Sequence, residues 1–144
     1  QRFVPGVDAM LDVGCGGGLP SVPLALLLPH VSVTGVDAVG KKAAFVNQVA
    51  IELGLKNLTA RHARVEKMVG TWKAITSRAF ASLADFTHLT MHLLASDGRW
   101  LAMKGVVPED EIAALPSNVK VLAIEKLVVP GLEEERHLIV LGKE

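Results

Sequence analysis

The sequence predicts an α/β fold: a doubly wound, mostly parallel sheet finished by an antiparallel hairpin. Three observations carry that expectation. An apolar run, Met10 to Val13, breaks into glycines at 14, 16, 17 and 18 and then into an apolar helical pattern, which reads as strand, tight loop and helix. Short β-branched runs then alternate with amphipathic helical stretches, as in sheets whose strands are joined by crossover helices. Finally, Val119 to Val129 and His137 to Leu141 both read as strands, and the Pro130-Gly131 connection leaves no room for a helix between them, so they must run antiparallel.

Taken in order, Val7 to Val13 is the first strand, nearly all apolar at its end, as a strand covered on both faces should be. Pro20 and Pro23 fit a first helical turn, where backbone N–H groups have no intrahelical acceptor to lose. Leu24 to Leu28 then forms a short buried helix that Pro29 ends. Val31 to Val36 is the second strand, finishing at Asp37. Lys41 to Leu53 is an amphipathic helix expected to bury Phe45, Val46, Val49, Ala50 and Leu53 and to stop at Gly54. Leu58 to His62 and Ile75 to Phe80 are the third and fourth strands. Ser82-Leu83-Ala84-Asp85 resembles a capping box opening a helix from Leu83 to Ala95, with Leu83, Phe86, Leu89 and Leu93 on its core face. Asp97-Gly98 predicts a turn into a fifth strand, Arg99 to Met103, and Pro108 to Leu115 offers a last helix.

Composition narrows the class. At 144 residues and 50% hydrophobic, the chain is the size of one domain with a real core. No apolar stretch approaches the roughly eighteen residues that span a bilayer. The chain opens on Gln1-Arg2-Phe3 without a signal-peptide pattern, and the missing initiator Met predicts a piece of a longer protein. The lone Cys15 excludes an intramolecular disulfide or a cysteine zinc cluster and fits a reducing cytoplasm. Fifteen basic and fifteen acidic residues cancel, but they are not mixed evenly: Lys41 to Arg78 is strongly basic, while acids outnumber bases from Glu109 to Glu135. One face can therefore meet phosphates at zero net charge, and a merely solvated surface explains the same pattern.

The glycine loop decides between cofactors by its spacing. A dinucleotide fingerprint counted from Gly14 places its third glycine at Leu19, and counted from Gly16 it ends on Ser21. What stands there is Asp-x-Gly-x-Gly-x-Gly, Asp12 to Gly18, similar to the first motif of S-adenosylmethionine (AdoMet) methyltransferases. Gly14, Gly16 and Gly18 remove Cβ atoms where a ligand lies against the backbone. Asp37, about twenty residues on, is placed to accept ribose hydroxyls, a role common to NAD and AdoMet sites.

Leu11 to Pro20, Ser77-Arg78-Ala79-Phe80-Ala81-Ser82, Lys104-Gly105 and Glu135-Arg136-His137-Leu138 together resemble the glucose-inhibited division protein B family, bacterial methyltransferases that modify N7 of a guanine in small-subunit (16S) ribosomal RNA. The resemblance covers nearly the whole chain. It implies a class I AdoMet-dependent methyltransferase (Rossmann-like) fold, AdoMet as cofactor and ribosomal RNA as partner, with no membrane and no obligate protein partner. Cys15 and Gly17 depart from the Thr or Ser and the Pro frequent in the family. Its N-terminal helical segment is absent, so residues 1–144 are expected to be the methyltransferase domain alone. Carried over position by position, the resemblance assigns AdoMet contacts to Gly14, Leu19, Val65, Glu66 and Arg78, beside Asp37, Gly16 and Gly18 from the loop and fold arguments. Arg78 is left open between the methionine carboxylate, the RNA and a structural tie to Asp12 or Glu66.

Guanine N7 carries an in-plane lone pair and no proton, so no general base or nucleophile is expected, and alignment is the main contribution. The Asn/Asp-Pro-Pro-Tyr/Phe motif of amino-methylating enzymes does not follow the fourth strand, and no Pro-Cys nucleophile is present. Lys41, Lys42, Arg64, Lys104 and Arg136 are candidate RNA phosphate contacts, each equally readable as a surface or salt-bridge residue. His88 and His92 share a helical face but lack a third metal ligand, and no metal site is expected. Trp72 and Trp100 are candidates for base stacking or burial. The rival readings are a methyltransferase for another substrate and a nucleotide- or RNA-binding module without catalysis.

Overall fold

A computed structural model describes residues 8–14, 21–77, 82–127 and 136–144. Its elements are β1 (Ala9–Val13), α1 (Ser21–Leu27), β2 (Ser32–Asp37), α2 (Gly40–Glu52), β3 (Leu58–His62), β4 (Trp72–Ser77), α3 (Leu83–Thr90), β5 (Leu94–Lys104), α4 (Glu109–Ala113), β6 (Val119–Leu127) and β7 (Arg136–Lys143). The seven strands form one sheet in the order β3-β2-β1-β4-β5-β7-β6. Strands β1 to β5 pair in parallel, and β7 runs antiparallel to both β5 and β6. The direction of the chain's progress across the sheet reverses between β1 and β4, which makes their carboxyl ends the place where a ligand lies.

Period-two alternation splits the core between the two faces. On one face Met10, Val33, Leu58 and Ala74 pack with Ala43, Val46 and Ala50 of α2. On the other Leu11, Val13, Ile75 and Trp100 pack with Leu83 and Phe86 of α3. The buried stripe of α2 is Ala43, Val46 and Ala50, so the expected burial of Phe45 and Leu53 is wrong: they are 54% and 52% exposed. Phe45 sits about 100° around the helix from Val46, and Leu53 is already the residue that ends the helix. Gly54 does stop α2. Its φ is +67°, and the N–H groups of Gly54 and Leu55 bond back to the carbonyls of Ile51 (3.1 Å) and Ala50 (2.8 Å), which is a Schellman ending.

Two asparagines tie the first half together. Asn57 Nδ2 donates to the carbonyls of Ala25, Leu28 and Val31 at 2.9 to 3.1 Å, closing the C-terminal end of α1. Asn47 exchanges two 2.9 Å bonds with the backbone of Ala60, covering part of the outer edge of β3.

The region after α3 departs most from expectation. Ser82 caps the helix as predicted, its Oγ accepting from the Asp85 N–H at 3.1 Å. The helix ends at Thr90 rather than Ala95, tightens into a single 3₁₀ turn at Met91–Leu93, and enters β5 at Leu94. Asp97-Gly98 therefore lies inside β5, where the register with β4 shifts between the pairs Trp72↔Leu94 and Ala74↔Arg99. Gly98 serves close packing: a Cβ there would come within 2.7 Å of Leu94 Cδ1. The junction is fixed by Trp100, which is fully buried and whose Nε1–H donates to Thr90 Oγ1 at 2.9 Å. Strand β4 also begins earlier than expected, at Trp72.

Candidate functional site

At the carboxyl ends of β1, β2 and β3 the structure opens a cleft of about 280 Å³ on the α3 face of the sheet, with Leu89 as its α3 wall. Gly14, Asp37, Arg64, Val65 and Glu66 all line it. Four of the expected cofactor contacts, drawn from three separate stretches of chain, thus meet at one place, and Arg64, expected on RNA, lies in the same wall.

Local structure holds each of them. Gly14 takes φ +75° as its N–H reaches across to the Val36 carbonyl (2.8 Å). Among the described residues beyond its chain neighbours no atom lies within 4 Å of where its Cβ would stand, so backbone conformation rather than crowding calls for glycine. Asp37 ends β2, its Oδ1 accepts from the Val39 N–H (2.9 Å), and its own carbonyl accepts from the Ala63 N–H (3.0 Å). His62 steadies the same corner: its Nε2–H donates to the Ala38 carbonyl at 3.1 Å, and its ring fills the space beside Gly40. Val65 opens a 3₁₀ turn, Val65–Lys67, and is buried with Met68 in the α3-side core, while Glu66 is exposed. The cleft therefore offers a carboxylate at the end of β2, an apolar wall after β3, and side-chain-free backbone after β1. That donor set fits a nucleoside cofactor, whose ribose suits the carboxylate and whose base suits the apolar wall.

At the fourth position of β1 lies Asp12, 1% exposed, on the sheet face opposite the cleft. Its carboxylate accepts from the hydroxyls of Ser21, the first residue of α1, and of Thr76 on β4, the latter at 3.1 Å. It thus bridges the helix that follows the loop to the strand beside it. Burial pushes its carboxyl up to about 6; the bonds from Ser21 and Thr76 pull it back, and the charge of Asp37 adds a smaller upward push. The sequence marks Asp12 only as the acidic residue of the loop motif. Its partners Ser21 and Thr76 carry no signal of their own.

The other candidates fall into groups. Lys41 and Lys42 are exposed in the first turn of α2, directly after the Asp37 corner. Lys104 and Arg136 border a second depression of about 210 Å³ at the ends of β5 and β7. Lys104 Nζ lies 3.0 Å from Glu111 Oε1, and that same oxygen accepts from the Leu83 N–H at 2.9 Å. Glu111, which nothing in the sequence singles out, therefore joins α4 to both β5 and the start of α3. Gly16, Gly18, Leu19 and Arg78 lie outside the described residues. His88 and His92 are exposed, and no cluster of three metal-ligating side chains occurs among the described residues. Trp100 is sealed in the core and Trp72 is partly buried beside Gly70, so burial is the outcome for the first and packing against the core for the second.

The strand order, the glycine that ends β1 and the carboxylate that ends β2 define a Rossmann-like class I methyltransferase fold. Solved structures agree on the fold: TrmN from Thermus thermophilus superposes with a TM-score of 0.77 at 21% identity, over 97% of this chain and 45% of that one. Geranyl diphosphate C-methyltransferase from Streptomyces coelicolor gives 0.74 at 16% identity, over 99% and 76%. Sequence names the family. The model of GidB, rRNA small subunit methyltransferase G, matches residues 2–139, and the chain belongs to that family. It is 54% identical over 137 residues to the ribosomal RNA small subunit methyltransferase G of Methylibium petroleiphilum, covering 94% of this chain and 62% of the relative. Against that of Ralstonia nicotianae it is 52% identical over 144 residues, 99% of this chain and 65% of the relative. The chain thus spans under two thirds of the length of these two relatives. Among the described residues no helix is long and apolar enough to cross a membrane.

Proposed function

We propose that this chain is the cofactor-binding and methyl-transferring domain of an enzyme that methylates N7 of a guanine in 16S ribosomal RNA, with AdoMet as donor. The observation that carries the reading is the meeting of Gly14, Asp37, Val65 and Glu66 in one cleft at the carboxyl ends of β1, β2 and β3, beside the switch point of the sheet, in a chain of the GidB family. Bound AdoMet supplies an electrophilic methyl on a sulfonium. The chain's part is to hold that methyl in line with the guanine. Asp37, oriented by the Val39 amide, accepts from the ribose hydroxyls, and Val65 covers one face of the adenine. The Glu66 corner meets the polar edge of the adenine. Gly16, Gly18, Leu19 and Arg78 complete the contacts along the loop and after β4.

Because N7 presents a lone pair and no proton, the chain needs no general base, and alignment supplies several kcal/mol or more of the barrier reduction. The product guanine gains positive charge, so cations belong on phosphates rather than against the base. Lys41, Lys42 and Arg64 beside the cleft, and Lys104 and Arg136 beyond β5, are assigned to the RNA backbone. The RNA target and the single cysteine fit the cytoplasm.

Calorimetric titration with AdoMet and with NAD tests the cofactor assignment. Saturable AdoMet binding at one site, with NAD much weaker, is expected. Tighter binding of NAD would sink the methyltransferase reading.

A further inference from the structure

Lys104 is the last residue of β5, and the register of the sheet fixes where that puts it. Parallel pairing aligns Val13, Ser77 and Ala102 across β1, β4 and β5. Val13 lines the cofactor cleft, and Ala102 is buried in the same α3-side core. Two residues beyond Ala102, Lys104 stands on that same face, two inter-strand spacings, about 10 Å, to the side of β1. A cofactor whose ribose is held at Asp37 and whose adenine lies against Val65 directs its sulfonium away from β3, toward β4 and β5. Lys104 is therefore a cation on the side where the guanine has to arrive.

Its side chain is not left to sample that space. Lys104 Nζ lies 3.0 Å from Glu111 Oε1, with the two side chains 18% and 30% exposed. The same oxygen accepts from the Leu83 N–H at 2.9 Å, so the start of α3 fixes the carboxylate that fixes the ammonium. Ile112 and Leu115 pack against the α3-side core and set the pose of α4, turning Glu111 inward while Glu109 and Asp110 stay exposed. The backbone just after Lys104 is held as well, since the His137 Nδ1–H donates to the Gly105 carbonyl at 2.6 Å. A lysine is a point charge on a flexible four-carbon stem, and its ammonium keeps one place only where a partner holds it. A partly exposed ion pair adds little to stability, so its main consequence here is the direction it gives Lys104.

We infer that Glu111 is a positioning residue for methyl transfer: anchored by the Leu83 N–H, its carboxylate holds the Lys104 ammonium where it meets a backbone phosphate beside the target guanine. The inference rests on the RNA methyltransferase reading above. It gives the carboxylate two effects of opposite sign. Its charge repels the RNA backbone, so losing it leaves RNA binding intact or tighter. Its hold on Lys104 aligns the RNA with the methyl, so losing it slows transfer.

The test is single-turnover methylation of 16S ribosomal RNA by the full-length protein, with RNA and AdoMet affinities measured alongside, for wild type, Glu111→Gln, Lys104→Ala and the double variant. Glutamine keeps an oxygen for the Leu83 N–H and lacks the charge that holds Lys104, so the start of α3 is preserved. Glu111→Gln should slow transfer about ten- to a hundredfold, as a small misplacement of reacting groups does, with RNA affinity unchanged or tighter and AdoMet affinity unchanged. In the Lys104→Ala background the same substitution should slow transfer no further, because Glu111 acts through that lysine. Glu109→Gln, on the exposed side of α4, should match wild type. An unchanged rate in Glu111→Gln, a loss confined to RNA affinity, or an equal slowing in both backgrounds would overturn the assignment. Wild type that transfers no methyl to the RNA would instead remove the RNA reading beneath it.

Discussion

Replacing Asp12 by Asn should change how stability depends on pH. The native carboxyl, 1% exposed, holds its proton up to about 6, whereas its ordinary value is 3.8. Between those values the native state binds a proton that the unfolded chain has lost, so unfolding free energy falls as pH rises through the window. Below 3.8 both states are protonated and the cost is absent; above about 6 it is fully present. At about 1.4 kcal/mol per pH unit the cost reaches about 3 kcal/mol at neutral pH. Asparagine is nearly isosteric, its carbonyl can accept from Ser21 and its amide can donate to Thr76, and it does not titrate. The assay is urea denaturation at intervals from pH 4 to pH 8, followed by fluorescence, for which buried Trp100 is a sensitive probe. The difference between Asp12→Asn and wild type should move by roughly 2 to 2.5 kcal/mol in favour of the variant from pH 4 to pH 7 and then level off. Curves that stay parallel across that range would refute the argument that burial dominates at Asp12.

Three further outcomes follow from the same geometry. Asp37→Ala should weaken AdoMet binding by about 1.5 to 3 kcal/mol, the range for hydrogen bonds to a charged group, with little change in melting temperature; calorimetry reads the first and thermal unfolding the second. Asn57→Ala strands up to three backbone carbonyls at the end of α1, and should lower unfolding free energy by about 1 to 3 kcal/mol without altering cofactor affinity once the protein is folded. Replacing Lys41 and Lys42 together by Ala should weaken RNA binding without altering AdoMet binding. It should also flatten the slope of log affinity against log salt by roughly 0.7 for each phosphate that is no longer neutralised. An unchanged slope would place both lysines outside the interface.

Much of this arrangement can be read from local pattern. Strand β3, Leu58–His62, is bounded by turn signals and matches expectation residue for residue. The antiparallel β6–β7 pair follows from a connection too short to cross over, and Gly54 and Ser82 act where local capping chemistry puts them. What the sequence hides is set by partners far along the chain. Helix α2 is apolar enough on several sides that Phe45 looks as buried as Val46, and only the sheet's position chooses the Ala43 stripe. The early end of α3 depends on Trp100 reaching back to Thr90, and β5 absorbs Asp97-Gly98 because β4 lies alongside. Glu111 bonds Leu83 from 28 positions away, and Thr76 reaches Asp12 from 64. The site divides the same way. Gly14 and Asp37 follow from the loop spacing and the rule that ligands lie at strand ends, and Val65 and Glu66 from the family resemblance, whereas the tie of Asp12 to Ser21 and Thr76 emerges only in the folded sheet.

The most direct test of the central claim is nucleoside mass spectrometry of 16S ribosomal RNA from cells with and without the gene for the full-length protein. The account predicts that 7-methylguanosine is lost on deletion, returns with the wild-type gene, and fails to return with the Asp37→Ala variant. An unchanged 7-methylguanosine content in the deletion strain would contradict it.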